Sequence, residues 1–305
     1  MSNDERSTIL LRPLELTGAG SLRLAAEAAG DSDWPPVLLL HGGGQTRHAW
    51  AGTARRLASA GYLAIALDAR GHGDSQWAPD GDYSADAMAA DLACVCASLR
   101  SPPALVGASM GGLTSLLAIG EGPPDFARAL VLVDIATRLE ADGVTRVLDF
   151  MRAHTGGFAS LDEAAAAVAA YNPHRKGPRS TAGLSKNLRL RPDGRWYWHW
   201  DPRFLDHAAR SRAGEALVQQ ERREQAAQRV TVPTLLIRGG SSDVVSAEGA
   251  RELQQLIPHA ELFDVQDAGH MVAGDRNDVF SDAVIKFLRR CLPAGTGTAE
   301  HLLIR

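Results

Sequence analysis

Residues 107–112 read Gly-Ala-Ser-Met-Gly-Gly, and they lie between an apolar run at 104–106 and a helix-forming stretch at 113–119. A Gly-x-Ser-x-Gly pattern at a strand-to-helix junction is typical of a nucleophilic serine, because the two glycines allow a sharp turn that larger side chains would obstruct. The pattern predicts that Ser109 is exposed at the end of a strand, beside the amide of Met110. The same residues also fit an ordinary glycine-rich turn. Whether Ser109 is a nucleophile therefore depends on the other motifs of the chain.

Apolar segments typical of buried strands alternate with helical segments along most of the chain. This alternation predicts an α/β fold with a mostly parallel, doubly wound sheet and helices on both of its faces. The predicted strands are 37–40, 62–67, 105–106, 130–133, 234–237 and 262–265, and the predicted helices are 46–60, 83–100, 110–121, 246–257 and 275–291. Residues 8–28 predict an antiparallel edge hairpin with a turn at 18–20.

The alternation is interrupted between residues 134 and 232, where no strand of the core type occurs. Helix-forming stretches at 161–170 and 204–228 flank a polar segment at 173–194. The sequence therefore predicts an inserted, mostly helical cap. The expected division is a core at 1–136 and 230–292, a cap (lid) at 137–229 and a flexible tail at 293–305.

Three polar side chains of the kinds used in nucleophilic catalysis follow predicted strands: Ser109, Asp243 and His270. The carboxyl ends of parallel strands meet at one edge of a sheet, so we expect these side chains to come together. A serine needs a base to become nucleophilic, and an acidic residue orients that base. The prediction is that Ser109 attacks, His270 transfers the proton and Asp243 holds the imidazole.

A second aspartate, Asp134, also follows a predicted strand and is the alternative acid. Asp243 is preferred because it lies in a tight polar loop, 239–245, and because its spacing from His270 fits better. Substitution by asparagine separates the two, since only the true acid should be needed for turnover.

Five motifs occur in the order found in a known superfamily. They are His41-Gly42-Gly43-Gly44, Asp68-x-Arg70-Gly71-His72-Gly73-x-Ser75, the stretch 107–112, the Asp243 loop and Gly269-His270. On these motifs the chain resembles the α/β-hydrolase superfamily, in the lid-bearing branch of esterases, carbon–carbon bond hydrolases, cofactor-free haloperoxidase-like perhydrolases and epoxide hydrolases. The resemblance implies an oxyanion hole made by the amides of Met110 and Gly43, with Gly44 as the other candidate for the second amide. No cofactor or metal is expected.

The predicted lid contains an aromatic stretch at 195–202, which holds three of the six tryptophans of the chain. One interpretation is an aromatic cluster that fixes the lid to the core, since tryptophan buries a large area. The other is a wall of the substrate pocket. The candidate pocket residues are Gly44, His48, Tyr197, Trp198 and His199.

Composition excludes several other functions. A net charge of −4 gives no reason to expect nucleic acid or an anionic membrane as a partner, and no apolar stretch approaches the length of a membrane span. The N-terminus has no pattern of a secretory signal, and three cysteines cannot form a disulfide framework, so a cytoplasmic location is expected. The sequence is compatible with both a monomer and a homo-oligomer.

The expected activity is a serine hydrolase acting on a small or medium carboxylic ester or lactone through an acyl-enzyme. Serine at position 109 disfavours epoxide hydrolase and dehalogenase chemistry, in which an aspartate attacks carbon directly. The alternatives are carbon–carbon bond hydrolysis of a diketone-type substrate and perhydrolase or haloperoxidase-like activity. A non-catalytic ligand receptor on the same fold is a minor alternative.

Overall fold

An eight-stranded sheet forms the centre of the molecule. The computed structural model describes residues 9–171, 181–209, 213–266, 268–270 and 277–295. The sheet order is β1-β2-β4-β3-β5-β6-β9-β10. Its strands are β1 (Arg12–Thr17), β2 (Arg23–Ala29), β3 (Pro36–Leu40), β4 (Leu63–Leu67), β5 (Ala104–Ala108), β6 (Ala129–Val133), β9 (Thr234–Gly239) and β10 (Glu261–Val265).

The strands from β3 onward pair in parallel, and the antiparallel pairs lie at one edge. β2 pairs antiparallel with both β1 and β4, and β1 meets β2 with Arg12 opposite Ala28. The predicted edge hairpin is therefore confirmed, with its turn in a short 3-10 helix at Ala19–Ser21. Central strands are apolar throughout because both faces of the sheet are covered, as in Pro36–Leu40, where every residue is buried.

Helices cover the sheet on both sides and produce two separate apolar cores. On one face α1 and α10 supply Leu57, Phe280 and Leu288 to the core, and on the other face α2, α3, α8 and α9 supply residues such as Leu92 and Leu116. These helices are α1 (Ala51–Ser59), α2 (Ala85–Ser98), α3 (Met110–Glu121), α8 (Ala213–Gln228), α9 (Ala247–Leu256) and α10 (Asn277–Cys291). The α/β architecture predicted from the alternation is confirmed.

The segment between β6 and β9 contains short elements that do not join the central sheet. They are α4 (Ala141–Ala153), α5 (Leu161–Tyr171), α6 (Thr181–Leu184), β7 (Leu188–Leu190), β8 (Trp196–Trp198) and α7 (Arg203–Ala209). β7 and β8 form their own antiparallel ribbon, which the sequence did not predict. An aromatic cluster around Phe158, Trp198 and Trp200 holds these elements together.

The last helix of this segment, α8, packs against α3 of the core. The two helices approach so closely at Gly120 that a Cβ there would lie 2.3 Å from the carbonyl oxygen of Ala226. Arg222 of α8 also forms an ion pair with Glu121 of α3. The boundaries of the lid at 137 and 229 stay predictions, and so does the tail, of which residues 296–305 lie outside the described part of the chain.

None of the helices in the described part of the chain has the length and apolar character needed to cross a bilayer.

Candidate active site

Ser109 lies on the sharp turn between β5 and α3, with backbone angles of φ 47° and ψ −114°. A non-glycine residue rarely adopts a positive φ, and such strain persists only where the surrounding structure imposes it. Here the turn is forced by close packing on both sides. A Cβ at Gly107 would lie 2.4 Å from the carbonyl oxygen of Gly111, and one at Gly111 would lie 2.5 Å from that of Leu40.

His270 joins Ser109 to an aspartate. Its Nε2 lies 3.2 Å from Oγ of Ser109, and its Nδ1 lies 2.6 Å from Oδ2 of Asp134. The imidazole can thus accept the serine proton while donating its Nδ1 hydrogen to a carboxylate. This is the geometry that nucleophilic catalysis by serine needs.

Asp134 is held firmly at the end of β6. It is 2% exposed, and its φ of 49° is, like that of Ser109, positive. The amide of Gly239 donates to Oδ1 across 2.9 Å, and the hydroxyl of Ser242 donates to Oδ2 across 2.6 Å. A buried carboxylate needs such partners, because burial without them would cost several kcal/mol.

The prediction that the Asp243 carboxylate binds the His270 imidazole is wrong, because the imidazole binds Asp134 instead. Asp243 is half-exposed and forms an ion pair with Arg146 of α4. The loop after β9 turns the side chain of Ser242 toward Asp134, and the backbone of Asp243 lies against α4, where a Cβ at Gly143 would be 2.2 Å from the Asp243 carbonyl. The alternative, Asp134, occupies the position beside the imidazole.

Sheet order explains why β6 supplies the carboxylate. β6 is the direct neighbour of β5, which carries Ser109, whereas β9 is one strand further away. The sequence held a signal for this arrangement: Asp134 stands between Val133 and Ile135 after a fully buried strand, so its carboxylate has to find a buried partner.

The loop after β3 lies close to the serine turn. A Cβ at Gly42 would lie 3.3 Å from Cβ of Ser109. The Gly42 amide donates to Oε1 of Gln45, and the Gly44 amide donates to Nε2 of His72. Among the described residues, no acceptor is found for the amides of Gly43 and Met110.

Gly43 and Met110 therefore stay the predicted donors to an oxyanion, since the described residues offer their amides no acceptor. Gly44, the other candidate for the second donor, is excluded because its amide already has an acceptor. We use the name oxyanion loop for residues 42–45.

Comparison with known proteins agrees with this architecture. Residues 35–276 match the family model described as the alpha/beta hydrolase fold. The chain belongs to the α/β-hydrolase family. It is 32% identical over 256 residues to the esterase Rv0045c of Mycobacterium tuberculosis, covering 79% of this chain and 78% of that protein. It is 30% identical over 274 residues to the mouse sn-1-specific diacylglycerol lipase ABHD11, covering 85% and 82% of the two chains.

Among solved structures, that of E-2-(acetamidomethylene)succinate hydrolase superposes with a TM-score of 0.79, at 24% identity, over 92% of this chain and all of the other. At that level of identity the likeness concerns the fold. The esterase and lipase relatives identify this α/β-hydrolase as an enzyme.

Three apolar side chains of the inserted segment lie over the oxyanion loop of this α/β-hydrolase. A Cβ at Gly43 would lie 3.7 Å from the ring of Phe204, and one at Gly44 would lie 3.1 Å from the Met151 methyl group and 3.4 Å from the Trp200 ring. None of these three was among the predicted pocket residues. Trp200 belonged to the recognised aromatic stretch, but a sequence pattern does not show which aromatic residue faces the loop.

The predicted pocket residues of the aromatic stretch have other contacts. Trp198 is buried in the aromatic cluster and stacks on Trp200 with ring centroids 4.9 Å apart. The Tyr197 hydroxyl donates to Asp193, and Arg191 lies over the Tyr197 ring. A role at the pocket stays a prediction for both Trp198 and Tyr197.

The contacts of His199 differ from those expected of a pocket residue. His199 is 2% exposed, and both of its ring nitrogens have backbone partners, so neither is available to a substrate. His48 lies 3.6 Å from Glu27 of β2, and its role at the pocket also stays a prediction.

The described residues contain no group of three or more histidine, cysteine, aspartate or glutamate side chains placed to hold a metal ion.

Proposed function

We propose that this α/β-hydrolase is a serine hydrolase that cleaves a small or medium carboxylic ester or lactone through an acyl-enzyme. Ser109 is the nucleophile, His270 the general base and acid, and Asp134 the residue that orients the imidazole. The observation that carries the proposal is the continuous hydrogen-bonded chain from Oγ of Ser109 through His270 to the buried Asp134.

The proposed first half-reaction forms the acyl-enzyme. Oγ of Ser109 attacks the ester carbonyl carbon while Nε2 of His270 takes the hydroxyl proton. The carbonyl oxygen becomes an oxyanion, which the amides of Gly43 and Met110 stabilise. One such donor contributes about 3 kcal/mol in comparable enzymes. When the tetrahedral intermediate collapses, the imidazolium gives its proton to the departing alkoxide, and the alcohol leaves.

The second half-reaction uses the same groups with water as the nucleophile. His270 removes a proton from the water, which attacks the acyl carbon, and the oxyanion forms again between the same two amides. Collapse of this intermediate breaks the bond to Ser109, whose oxygen recovers its proton from His270, and the carboxylic acid is released. Asp134 stabilises the imidazolium in both halves by accepting its Nδ1 hydrogen.

The segment 137–229 supports the proposal as a lid. Met151, Trp200 and Phe204 come from this segment and lie over the oxyanion loop, so they give the reacting carbonyl an apolar cover. Such a cover excludes water and strengthens electrostatic stabilisation of the oxyanion. It also suits an uncharged, apolar group next to the scissile bond. The names of the esterase and the diacylglycerol lipase point in the same direction, toward ester substrates.

A comparison of two substrate classes tests the proposal. Purified enzyme is assayed with p-nitrophenyl butyrate and with a vinylogous diketone of the ring-cleavage type. We expect ester hydrolysis that is lost in Ser109→Ala, and a kcat/KM for the ester well above that for the diketone. A strong preference for the diketone would replace the ester assignment by carbon–carbon bond hydrolysis, and lack of both activities together with no labelling by a fluorophosphonate would favour the receptor.

A further inference from the structure

Three buried imidazoles form a row from the end of β3 to the inserted segment. They belong to His41, His72 and His199, and each is no more than 2% exposed. The ring centroids of His41 and His72 are 5.2 Å apart, and those of His72 and His199 are 5.8 Å apart. The proposed chemistry uses none of them as an acid or base.

Backbone partners fix the protonation of the three rings. His41 accepts from the Ala69 amide and donates to the Gly42 carbonyl. His72 accepts from the Gly44 amide, and its Nδ1 donates to the carbonyl of residue 70. An amide only donates and a carbonyl only accepts, so each ring carries one hydrogen and is neutral.

His199 is likewise held by one backbone donor and one backbone acceptor. Its Nδ1 accepts from the Gly73 amide across 2.7 Å, and its Nε2 donates to the Gly44 carbonyl across 3.3 Å. Burial, followed by the neighbouring His72, lowers the pKa of His199 well below its ordinary value, which keeps the ring in this neutral form.

These contacts hold three successive peptide planes of the oxyanion loop. His41 binds the carbonyl of the plane that carries the Gly43 amide, His72 binds the amide of the next plane, and His199 binds the Gly44 carbonyl in the third. Gly44 has a φ of +73°, a conformation in which a glycine has wide freedom, so its orientation depends on these contacts.

We propose that His199 is a positioning residue for the oxyanion hole. His41 holds the peptide plane that carries the Gly43 amide, and the Nε2 hydrogen of His199 fixes the Gly44 carbonyl two planes further on. The two contacts together keep the loop from rotating the Gly43 amide out of place, so that docking of the β7–β8 ribbon completes the hole. His199 is the member of the row that comes from the inserted segment, which couples the lid to the catalytic backbone. This inference rests on the proposed function of the Gly43 amide.

Two substitutions of His199 separate its two hydrogen bonds. In His199→Gln the side-chain amide reaches as far as Nε2 and can donate to the Gly44 carbonyl. In His199→Asn the shorter amide can replace only Nδ1 as the acceptor for the Gly73 amide. Both variants replace a buried ring by a primary amide and so share the structural cost. His259→Gln is the control, because His259 is exposed and binds the Val232 carbonyl outside the site.

The readouts are kcat and KM for p-nitrophenyl butyrate and the inhibition constant of a trifluoromethyl ketone, which forms an oxyanion on Ser109. We expect kcat about tenfold lower in His199→Asn than in His199→Gln, because small displacements of a catalytic group cost one to two orders of magnitude in rate. KM should change less than twofold, the inhibition constant should rise in parallel with the loss of kcat, and His259→Gln should match the wild type.

Equal kcat values in His199→Gln and His199→Asn, or a loss confined to KM, would overturn the positioning role. If His199→Asn does not fold, as judged by its thermal unfolding midpoint, His199→Met takes its place, since it has similar length and no donor. Failure of the proposed function gives a different result: the wild type itself would then lack ester hydrolysis that depends on Ser109.

Discussion

Ser242 donates its hydroxyl hydrogen to Oδ2 of Asp134 across 2.6 Å, and the same oxygen accepts from Nδ1 of His270. One carboxylate oxygen of Asp134 therefore accepts both of these hydrogen bonds, while the other oxygen accepts from the Gly239 amide. Ser242 comes directly before Asp243 in the loop after β9. The loop that was expected to supply the acid instead supplies a hydroxyl that donates to Asp134.

Replacing Ser242 by alanine should lower activity. Without the hydroxyl the Asp134 carboxylate loses one hydrogen bond, and hydrogen bonds to charged groups contribute about 1.5–3 kcal/mol. Because part of this free energy stabilises the imidazolium in the transition state, we expect kcat/KM for an ester to fall about tenfold. The decrease should come from kcat, with KM unchanged. Ser241→Ala is the control, because Ser241 is exposed and is hydrogen-bonded through its backbone. Equal rates in both variants would exclude an orienting role for Ser242.

Substitution at the serine turn should affect stability. In Gly107→Ala the new Cβ would lie 2.4 Å from the backbone oxygen of Gly111, so β5 and α3 must move apart. We expect the free energy of unfolding to fall by about 2 kcal/mol or more, as overpacking of rigid backbone does. Gly156→Ala is the matched control, since no heavy atom of the described residues lies within 4 Å of its added Cβ. Urea denaturation measures both, and an unchanged midpoint for Gly107→Ala would contradict the packing described here.

The buried histidines predict that stability falls in mild acid. Burial lowers the pKa of His41 and of His199, and burial together with the neighbouring His41 lowers the pKa of His72 to about 3. The unfolded chain binds these protons near pH 6.5 and the folded chain does not. The contribution of these neutral histidines to the free energy of unfolding is therefore fully present above pH 6.5 and decreases as the pH falls below it. For His72 the decrease continues down to about pH 3.

Each of these histidines adds a slope of up to about 1.4 kcal/mol per pH unit to the free energy of unfolding. Urea denaturation between pH 7.5 and pH 5 measures the total slope, in a range where most carboxyl groups stay ionised. A free energy of unfolding that is constant or rises toward pH 5 would show that these rings are protonated or exposed in the folded protein.

The sequence predicted those parts of the site that depend on local structure. Ser109 was identified because two glycines and the flanking apolar runs define its turn, and His270 because it follows the last strand. The acid residue was harder to predict, since β6 and β9 end at the same edge of the sheet and each is followed by an aspartate. The choice depends on a positive φ at Asp134 and on whether Ser242 or Asp243 faces inward, and no periodic pattern encodes either.

The lid was the least predictable part. β7 and β8 have three residues each, too few for a period-two pattern to be distinguished from a loop. The ribbon depends on tertiary contacts, such as the pairing of Phe158 with Trp196 and the packing of Trp198 against Phe158. The contacts of Met151 and Phe204 with the oxyanion loop likewise follow from how the inserted elements pack, which a single sequence does not reveal.

Two isosteric variants test most directly which aspartate is the acid of the site. Ester hydrolysis is measured for Asp134→Asn and Asp243→Asn, with circular dichroism to confirm that both are folded. We predict a loss in kcat of about 10³-fold or more for Asp134→Asn, since the imidazole loses its carboxylate partner. Asp243→Asn should stay within about threefold of the wild type, because it loses only a solvent-exposed ion pair with Arg146. Full activity in Asp134→Asn together with inactivity in Asp243→Asn would contradict the account.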